Sequence, residues 1–303
     1  MFHGHFIGRC VAVATGIAVT GVLASCTLGN PTPARVGLAP VSLGADTVSF
    51  PSASGSMIHA WFAAGRSGVG SVLILHGVNA DRRTMADRAR FLHAAGYAVL
   101  VPDFQANGES PGKHVTYGAL ESLDAAAALA YLRVRLPDER VGVIGVSMGG
   151  AAALVGADGP LRADAFVLES VYPTIRDAVH DRLRVWLGPA GPAFTSLVLS
   201  VVGHDIGVSP DDLRPIDRIA KLGAPVLIAA GVEDRYTTIA ETRALFASAP
   251  DPKELWTVSG AAHVDLHAFA PVEYERRIGG FLARHLRRER IAQPTASAMP
   301  GDG

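Results

Sequence analysis

One serine in this chain stands where a nucleophile could be made. The stretch Val141-Gly142-Val143-Ile144-Gly145-Val146-Ser147-Met148-Gly149-Gly150 starts with β-formers alternating with glycine and runs on into Ala151, Ala152, Ala153 and Leu154. The pattern predicts a buried strand, a very tight turn and the first turn of a helix. A serine at the apex of such a turn needs neighbours without side chains, so that strand and helix can approach closely. Gly145 and Gly149 supply them. The turn would expose the Ser147 hydroxyl and set the Met148 N–H at a helix N-terminus, where developing negative charge is stabilised. An ordinary strand–helix turn could use the same residues, so chemistry depends on partners. A serine hydroxyl needs a base to take its proton, and the base needs a group to orient it. Ala229-Ala230-Gly231-Val232-Glu233-Asp234 ends one predicted strand with acids at its C-terminal edge. Val258-Ser259-Gly260-Ala261-Ala262-His263 does the same for a histidine one strand later. Glu169 and Glu233 are rival acids to Asp234, and His267 is a rival to His263, although its place reads as a helix surface.

The elements that must carry these residues follow from hydrophobic periodicity. Asp46–Phe50 and Met57–Ala63 read as an antiparallel hairpin across a Ser/Gly turn. Strands are then predicted at 71–75, 97–101, 141–146, 165–168, 225–230 and 254–258, with helices at 83–95, 118–135, 148–158, 239–249 and 271–287. Repeated strand–helix units imply a mostly parallel sheet with helices on both faces. Ser147, Asp234 and His263 all fall at carboxyl ends of strands, where catalysts on such sheets lie. More than fifty residues separate the strands near Glu169 and Pro225. That interval, about 172–222, holds apolar helical stretches at 175–187 and 192–202 and is expected to form a small helical lid over the catalytic edge.

Residues 45–290 resemble an α/β hydrolase, most closely the serine-aminopeptidase-like and YfhR-like esterase branch. The resemblance rests on Leu75-His76-Gly77, Asp103 with Gly108-x-Ser110, Gly145-x-Ser147-x-Gly149, Gly231-x-x-Asp234 and Gly260-Ala261-Ala262-His263 in register. It implies Ser147 as nucleophile, Asp234 as acid, His263 as base, and the N–H groups of Met148 and Val78 as an oxyanion hole. It implies a shaping role for His76, and structural roles for Asp103, Ser110, Glu121 and Asp124. Two departures stand out. Ala106-Asn107-Gly108 replaces a Gly-His-Gly, and Tyr236-Thr237-Thr238 stands where many relatives have proline. Both are expected to touch pocket shape more than chemistry.

Composition narrows the class. With 49% hydrophobic and 18% charged residues the chain should bury a sizeable core, and a net charge of −1 offers no field for nucleic acid. Both cysteines, Cys10 and Cys26, lie in an apolar N-terminal segment, so neither a disulfide framework nor a cysteine-based metal site is expected in the domain. No metal and no cofactor are expected. His3 and His5 lie in the removable segment, and His263-x-x-x-His267 lacks the glutamate of a zinc-protease helix. Arg9 precedes an uncharged run from Cys10 to Leu28, the pattern of an export signal. Its end, Leu23-Ala24-Ser25-Cys26, resembles a bacterial lipobox, which implies a signal peptide over 1–25 and lipidation of Cys26. Residues 26–44 read as a flexible tether and 291–303 as a disordered tail. The expectation is an envelope hydrolase, lipid-anchored on the extracytoplasmic face, acting on a small-molecule or lipid ester. Aminopeptidase or thioesterase action, or a non-catalytic binding lipoprotein, are the alternatives.

Overall fold

The computed structural model describes residues 29–288; the expected signal peptide, Cys26 and the 291–303 tail lie outside the described residues. The strands are β1 (Thr32–Pro33), β2 (Asp46–Pro51), β3 (Met57–Ala63), β4 (Ser71–Leu75), β5 (Ala98–Pro102), β6 (Asn107–Gly108), β7 (Val141–Val146), β8 (Ala165–Glu169), β9 (Val226–Gly231) and β10 (Lys253–Val258). Eight of them form one sheet in the order β10-β9-β8-β7-β4-β5-β3-β2. The β2–β3 and β3–β5 pairs are antiparallel, and every other pair is parallel. Strands β4, β5, β7, β8 and β9 are buried throughout or almost throughout, as a sheet covered on both faces requires.

The helices are α1 (Ala86–Ala94), α2 (Ala119–Arg135), α3 (Met148–Leu154), α4 (Ile175–Leu187), α5 (Thr195–Ile206), α6 (Pro215–Ile219), α7 (Ile239–Ser248), α8 (Leu266–Phe269) and α9 (Pro271–Leu286). Two cores lie on opposite sides of the sheet. One packs α2 and α3, with Leu129, Leu132 and Met148, against Leu73, Val143 and Phe166. The other packs α1 and α9, with Leu92, Ile278 and Phe281, against Val72, Ile144 and Val167. The predicted helix at 83–95 is a 3-10 turn, Arg82–Met85, followed by α1. Asp81 starts that turn by accepting the Arg83 N–H at 3.0 Å, an N-cap bond that pins the chain entry.

Residues 29–44, expected as a tether, are instead fixed to the domain. β1 pairs in parallel with β6, and Thr32 Oγ1 donates to Asn107 Oδ1 at 2.8 Å. Glu109 accepts the N–H groups of Val36 and Gly37, Trp61 Nε1 donates to the Gly37 carbonyl at 3.0 Å, and Leu43 is fully buried. The prolines keep regular structure here short, but the segment still finds partners 24 to 75 positions away.

Between β8 and β9 the chain leaves the sheet for α4, a 3-10 turn at Gly188–Phe194, α5 and α6. Thr174 caps α4 by accepting the Asp177 N–H at 3.1 Å, and Pro189 and Pro192 fall in the 3-10 turn that separates α4 from α5. This helical insertion rises over the edge at which β4, β7 and β8 end.

Candidate active site

Parallel register decides what meets at that edge. Leu75 pairs with Gly145, Val146 with Glu169, Glu169 with Ala229, and Val258 with Gly231. The next residues of each strand therefore emerge side by side: 76–78, Ser147, Ser170, 232–234 and 259–263. Ser147 has φ 49° and ψ −115°, in a region that L-residues seldom adopt. Conformations of this kind cost about 1–3 kcal/mol and persist only where surroundings fix them. Here the Ser147 N–H donates to the Glu169 carbonyl at 2.8 Å, and the Ser147 carbonyl accepts from Gly150 and Ala151. The glycine spacing is steric. A Cβ on Gly145 would lie 2.5 Å from the Gly150 Cα, and one on Gly149 would lie 2.5 Å from the Leu75 carbonyl oxygen.

The candidate base and candidate acid are in contact. His263 Nδ1 lies 2.7 Å from Asp234 Oδ2, and the Asp234 side chain is fully buried. The other carboxylate oxygen, Oδ1, accepts the N–H groups of Tyr236 at 2.8 Å and Thr237 at 2.9 Å. An acceptor at Oδ2 places the imidazole hydrogen on Nδ1 and leaves Nε2 as the basic nitrogen. The departure at Tyr236-Thr237 is thus more than a change of pocket shape: these two N–H groups hold the acid, and a proline at either position would remove one. Tyr236 also packs edge-on against His263, ring centroids 5.7 Å apart.

The rival acids and histidine do not contact His263. Glu169 is held inside the protein by Arg88 at 2.7 Å and by the Tyr274 hydroxyl, and Glu233 is exposed. His267, expected on a helix surface, is buried in α8 between Phe91 and Tyr274, with Nε2 3.0 Å from Glu275. Arg88 also meets Asp265 at 2.8 Å. It therefore joins the end of β8, beside Ser147, to the loop two residues beyond His263. Nothing in the sequence separates Arg88 from the other arginines of its region.

Val78 and Met148 flank Ser147 in the lining of one cavity. Met148 opens α3, whose first N–H groups have no carbonyl one turn earlier to bond. The loop carrying Val78 is set by His76. The Phe104 N–H donates to His76 Nε2 at 3.0 Å, which leaves Nδ1 to donate to the Gly77 carbonyl at 2.7 Å. Full burial holds the His76 pKa below its usual value, so the ring stays neutral and its tautomer fixed. Asp103, Ser110, Glu121 and Asp124 are buried and bonded within loops: Asp103 to Arg82 and the Glu109 N–H, Ser110 to the Asp103 carbonyl, Glu121 to Thr116 and Gly118, Asp124 to Ser54 and the Gln105 N–H.

Two cavities open at Ser147. The larger, about 510 Å³, runs under α4 and α5 and is walled by apolar side chains such as Ile175, Leu183, Val198, Val202 and Leu213. The smaller, about 340 Å³, holds Gly77, Ser170, Tyr236 and His263. Arg182 and Trp186 line both. Among the described residues no group of three or more His, Cys, Asp or Glu side chains is placed to hold a metal ion.

The chain resembles known proteins in sequence and in fold. Residues 67–209 match the serine aminopeptidase S33 family model, which spans the Ser147 turn and stops short of Asp234 and His263. The chain has the α/β-hydrolase fold. An uncharacterized Mycobacterium tuberculosis protein is 31% identical over 199 residues, 64% of this chain and 63% of its own length. The chain thus spans under two thirds of that relative. An uncharacterized Bacillus subtilis protein, YqkD, is 25% identical over 241 residues, 77% of each chain. Among solved structures, the esterase Pf2001 of Pyrococcus furiosus superposes with a TM-score of 0.69 at 23% identity, over 85% of this chain and 98% of its own.

Proposed function

We propose that this α/β hydrolase cleaves carboxylic esters of apolar acyl groups through an acyl-enzyme on Ser147. The observation that carries the reading is the 2.7 Å His263–Asp234 contact, made in the same compartment as a strained serine at the mouth of an apolar cavity. His263 Nε2 takes the Ser147 proton as Oγ bonds to the ester carbonyl carbon. The Met148 and Val78 N–H groups receive the oxyanion, His263 passes the proton to the departing alkoxide oxygen, and the C–O ester bond breaks. Water, deprotonated by the same nitrogen, then releases the acid and restores Ser147. Asp234 keeps the hydrogen on Nδ1 throughout.

Ester cleavage is favoured over aminopeptidase action by what surrounds the site. An aminopeptidase needs a carboxylate to hold a free ammonium group. The two beside the smaller cavity, Glu169 and Asp265, are both bound by Arg88. Ser147→Ala should lower hydrolysis of p-nitrophenyl octanoate at least about 10⁴-fold and abolish labelling by a fluorophosphonate probe. Wild-type rates in that variant would sink the assignment. Export and lipidation at Cys26 are part of the same reading and rest on the Leu23–Cys26 motif. Labelled palmitate should enter the wild-type protein and not Cys26→Ala.

A further inference from the structure

The two cavities that meet at Ser147 differ in kind, and the difference assigns the halves of an ester. His263 lines the smaller cavity and is absent from the lining of the larger. Under the reading above, which this inference extends, His263 protonates the departing oxygen. The leaving alcohol therefore occupies the smaller cavity, and the acyl chain the larger, apolar one.

Two arginines line the smaller cavity. Arg88 is neutralised by Glu169 at 2.7 Å and Asp265 at 2.8 Å. Arg182 is different. It is half-buried on α4, on the same face as Ala178, Val179, Leu183 and Trp186, which all line the larger cavity. Its Nη1 donates to the Ala178 carbonyl at 3.2 Å, and its Cζ lies 5.4 Å from the centre of the Tyr236 ring. Tyr236 in turn packs against His263, so the guanidinium stands one ring away from the proton donor. No carboxylate of the described residues lies within salt-bridge distance of it, although nine other arginines and three histidines among the described residues have one. A guanidinium carries five N–H donors in a rigid fork suited to planar or tetrahedral oxyanions. One goes to Ala178, and the cation–π contact with Tyr236 holds the head group beside that ring. A cation beside an apolar cavity is costly to desolvate without an anion.

We propose that Arg182 is an oxyanion subsite and that the preferred substrate is an apolar acyl ester whose leaving alcohol carries a carboxylate or phosphate group. The chain would then release a fatty acid and an anionic alcohol. A residue on the apolar face of the α4 helix thereby sets specificity for the departing half.

Three octanoate esters test this: 4-carbamoylphenyl and 4-carboxyphenyl, alike in shape and differing in charge, and 4-phosphonophenyl, which presents a tetrahedral oxyanion. The quantity read is the ratio of kcat/KM for each anionic ester to that for the neutral one, compared between wild type and variants so that intrinsic leaving-group reactivity cancels. Arg182→Gln should lower that ratio about tenfold, the effect of losing one charge-assisted pair, chiefly through KM. Arg182→Lys should recover part of it. The carboxylate and phosphonate arms show which oxyanion fits better. Fluorophosphonate labelling of each variant reports separately that the Ser147 site is formed. An unchanged ratio in Arg182→Gln overturns the subsite while leaving the esterase reading intact. Failure of wild type to cleave any of the three, or to be labelled, overturns both.

Discussion

Asp234→Asn isolates what the acid does. In the wild type Oδ1 accepts two backbone N–H groups, from Tyr236 at 2.8 Å and Thr237 at 2.9 Å, and Oδ2 accepts from His263 Nδ1 at 2.7 Å. An asparagine has one oxygen to satisfy both sides. The two N–H donors hold it at the Oδ1 position, because turning the amide would set its NH₂ against them and orphan two donors at about 1–3 kcal/mol each. The amide nitrogen must then face His263 and donate to Nδ1. That fixes the hydrogen on Nε2, the nitrogen that should take the serine proton. Restoring the active tautomer sets N–H against N–H and forfeits the carboxylate that stabilises the imidazolium. The expected loss is about 10⁴-fold in kcat, or about 5 kcal/mol, with KM little changed. Asp234→Ala should lose activity too, but it also leaves the Tyr236 and Thr237 donors without an acceptor and should cost a further 1–3 kcal/mol or so of stability. The pair is measured by p-nitrophenyl octanoate kinetics and urea unfolding. If Asp234→Asn keeps a tenth or more of wild-type kcat, the tautomer argument is refuted.

Three further outcomes follow from the surroundings of the site. If the 510 Å³ cavity holds the acyl chain, kcat/KM should rise about fourfold per added methylene until it fills; Val202→Trp should end that rise at shorter chains, and an unchanged chain-length profile would count against the assignment. Arg88 and Glu169 are both about 1% exposed, so Arg88→Met should cost about 3–5 kcal/mol by leaving a buried carboxylate alone; adding Glu169→Gln should recover much of it, and purely additive losses in urea unfolding would show no coupling. Burial, reinforced by the nearby Asp181 carboxylate, raises the Glu241 pKa from its ordinary 4.5 to about 7. A carboxyl whose pKa is raised on folding favours the fold fully below its unfolded value, and that contribution fades as pH climbs through 7. Glu241→Gln should remove this slope between pH 5 and 8, a difference of about 1–2 kcal/mol after solvent screening; parallel stability–pH curves would contradict it.

The features legible in the sequence are those whose cause is local. Val141–Val146, Ile175–Leu187, Ser71–Leu75 and Met57–Ala63 run between the residues that periodicity alone picks out. The Ser147 turn is equally local, since its glycines answer to contacts within five residues or with the adjoining strand. Once the parallel order is known, the edge that brings Ser147, Asp234 and His263 together follows from strand ends. What stayed hidden depends on pairs distant in sequence. Arg88 shares its helix with Arg90, and only the fold brings it to Glu169, Tyr274 and Asp265, 81 to 186 positions away. The burial of His267 depends on Phe91 in the same way.

Backbone donors are hidden for a second reason: a side-chain pattern does not record them. The 29–44 segment reads as a tether because its prolines and glycines leave no strand or helix periodicity, yet two residues of parallel pairing and the Glu109 carboxylate hold it. Its partner is the Ala106-Asn107-Gly108 loop, one of the two departures from the family pattern. The other departure, Tyr236-Thr237, supplies the donors that fix Asp234. The Tyr236-Thr237 change thus keeps backbone N–H groups that a proline would lack, while Asn107 adds a side-chain acceptor for Thr32. A departure from a motif is therefore best read by asking which main-chain donor or acceptor it creates. On that test the Tyr236-Thr237 change bears on the orientation of the acid, and through it on the base.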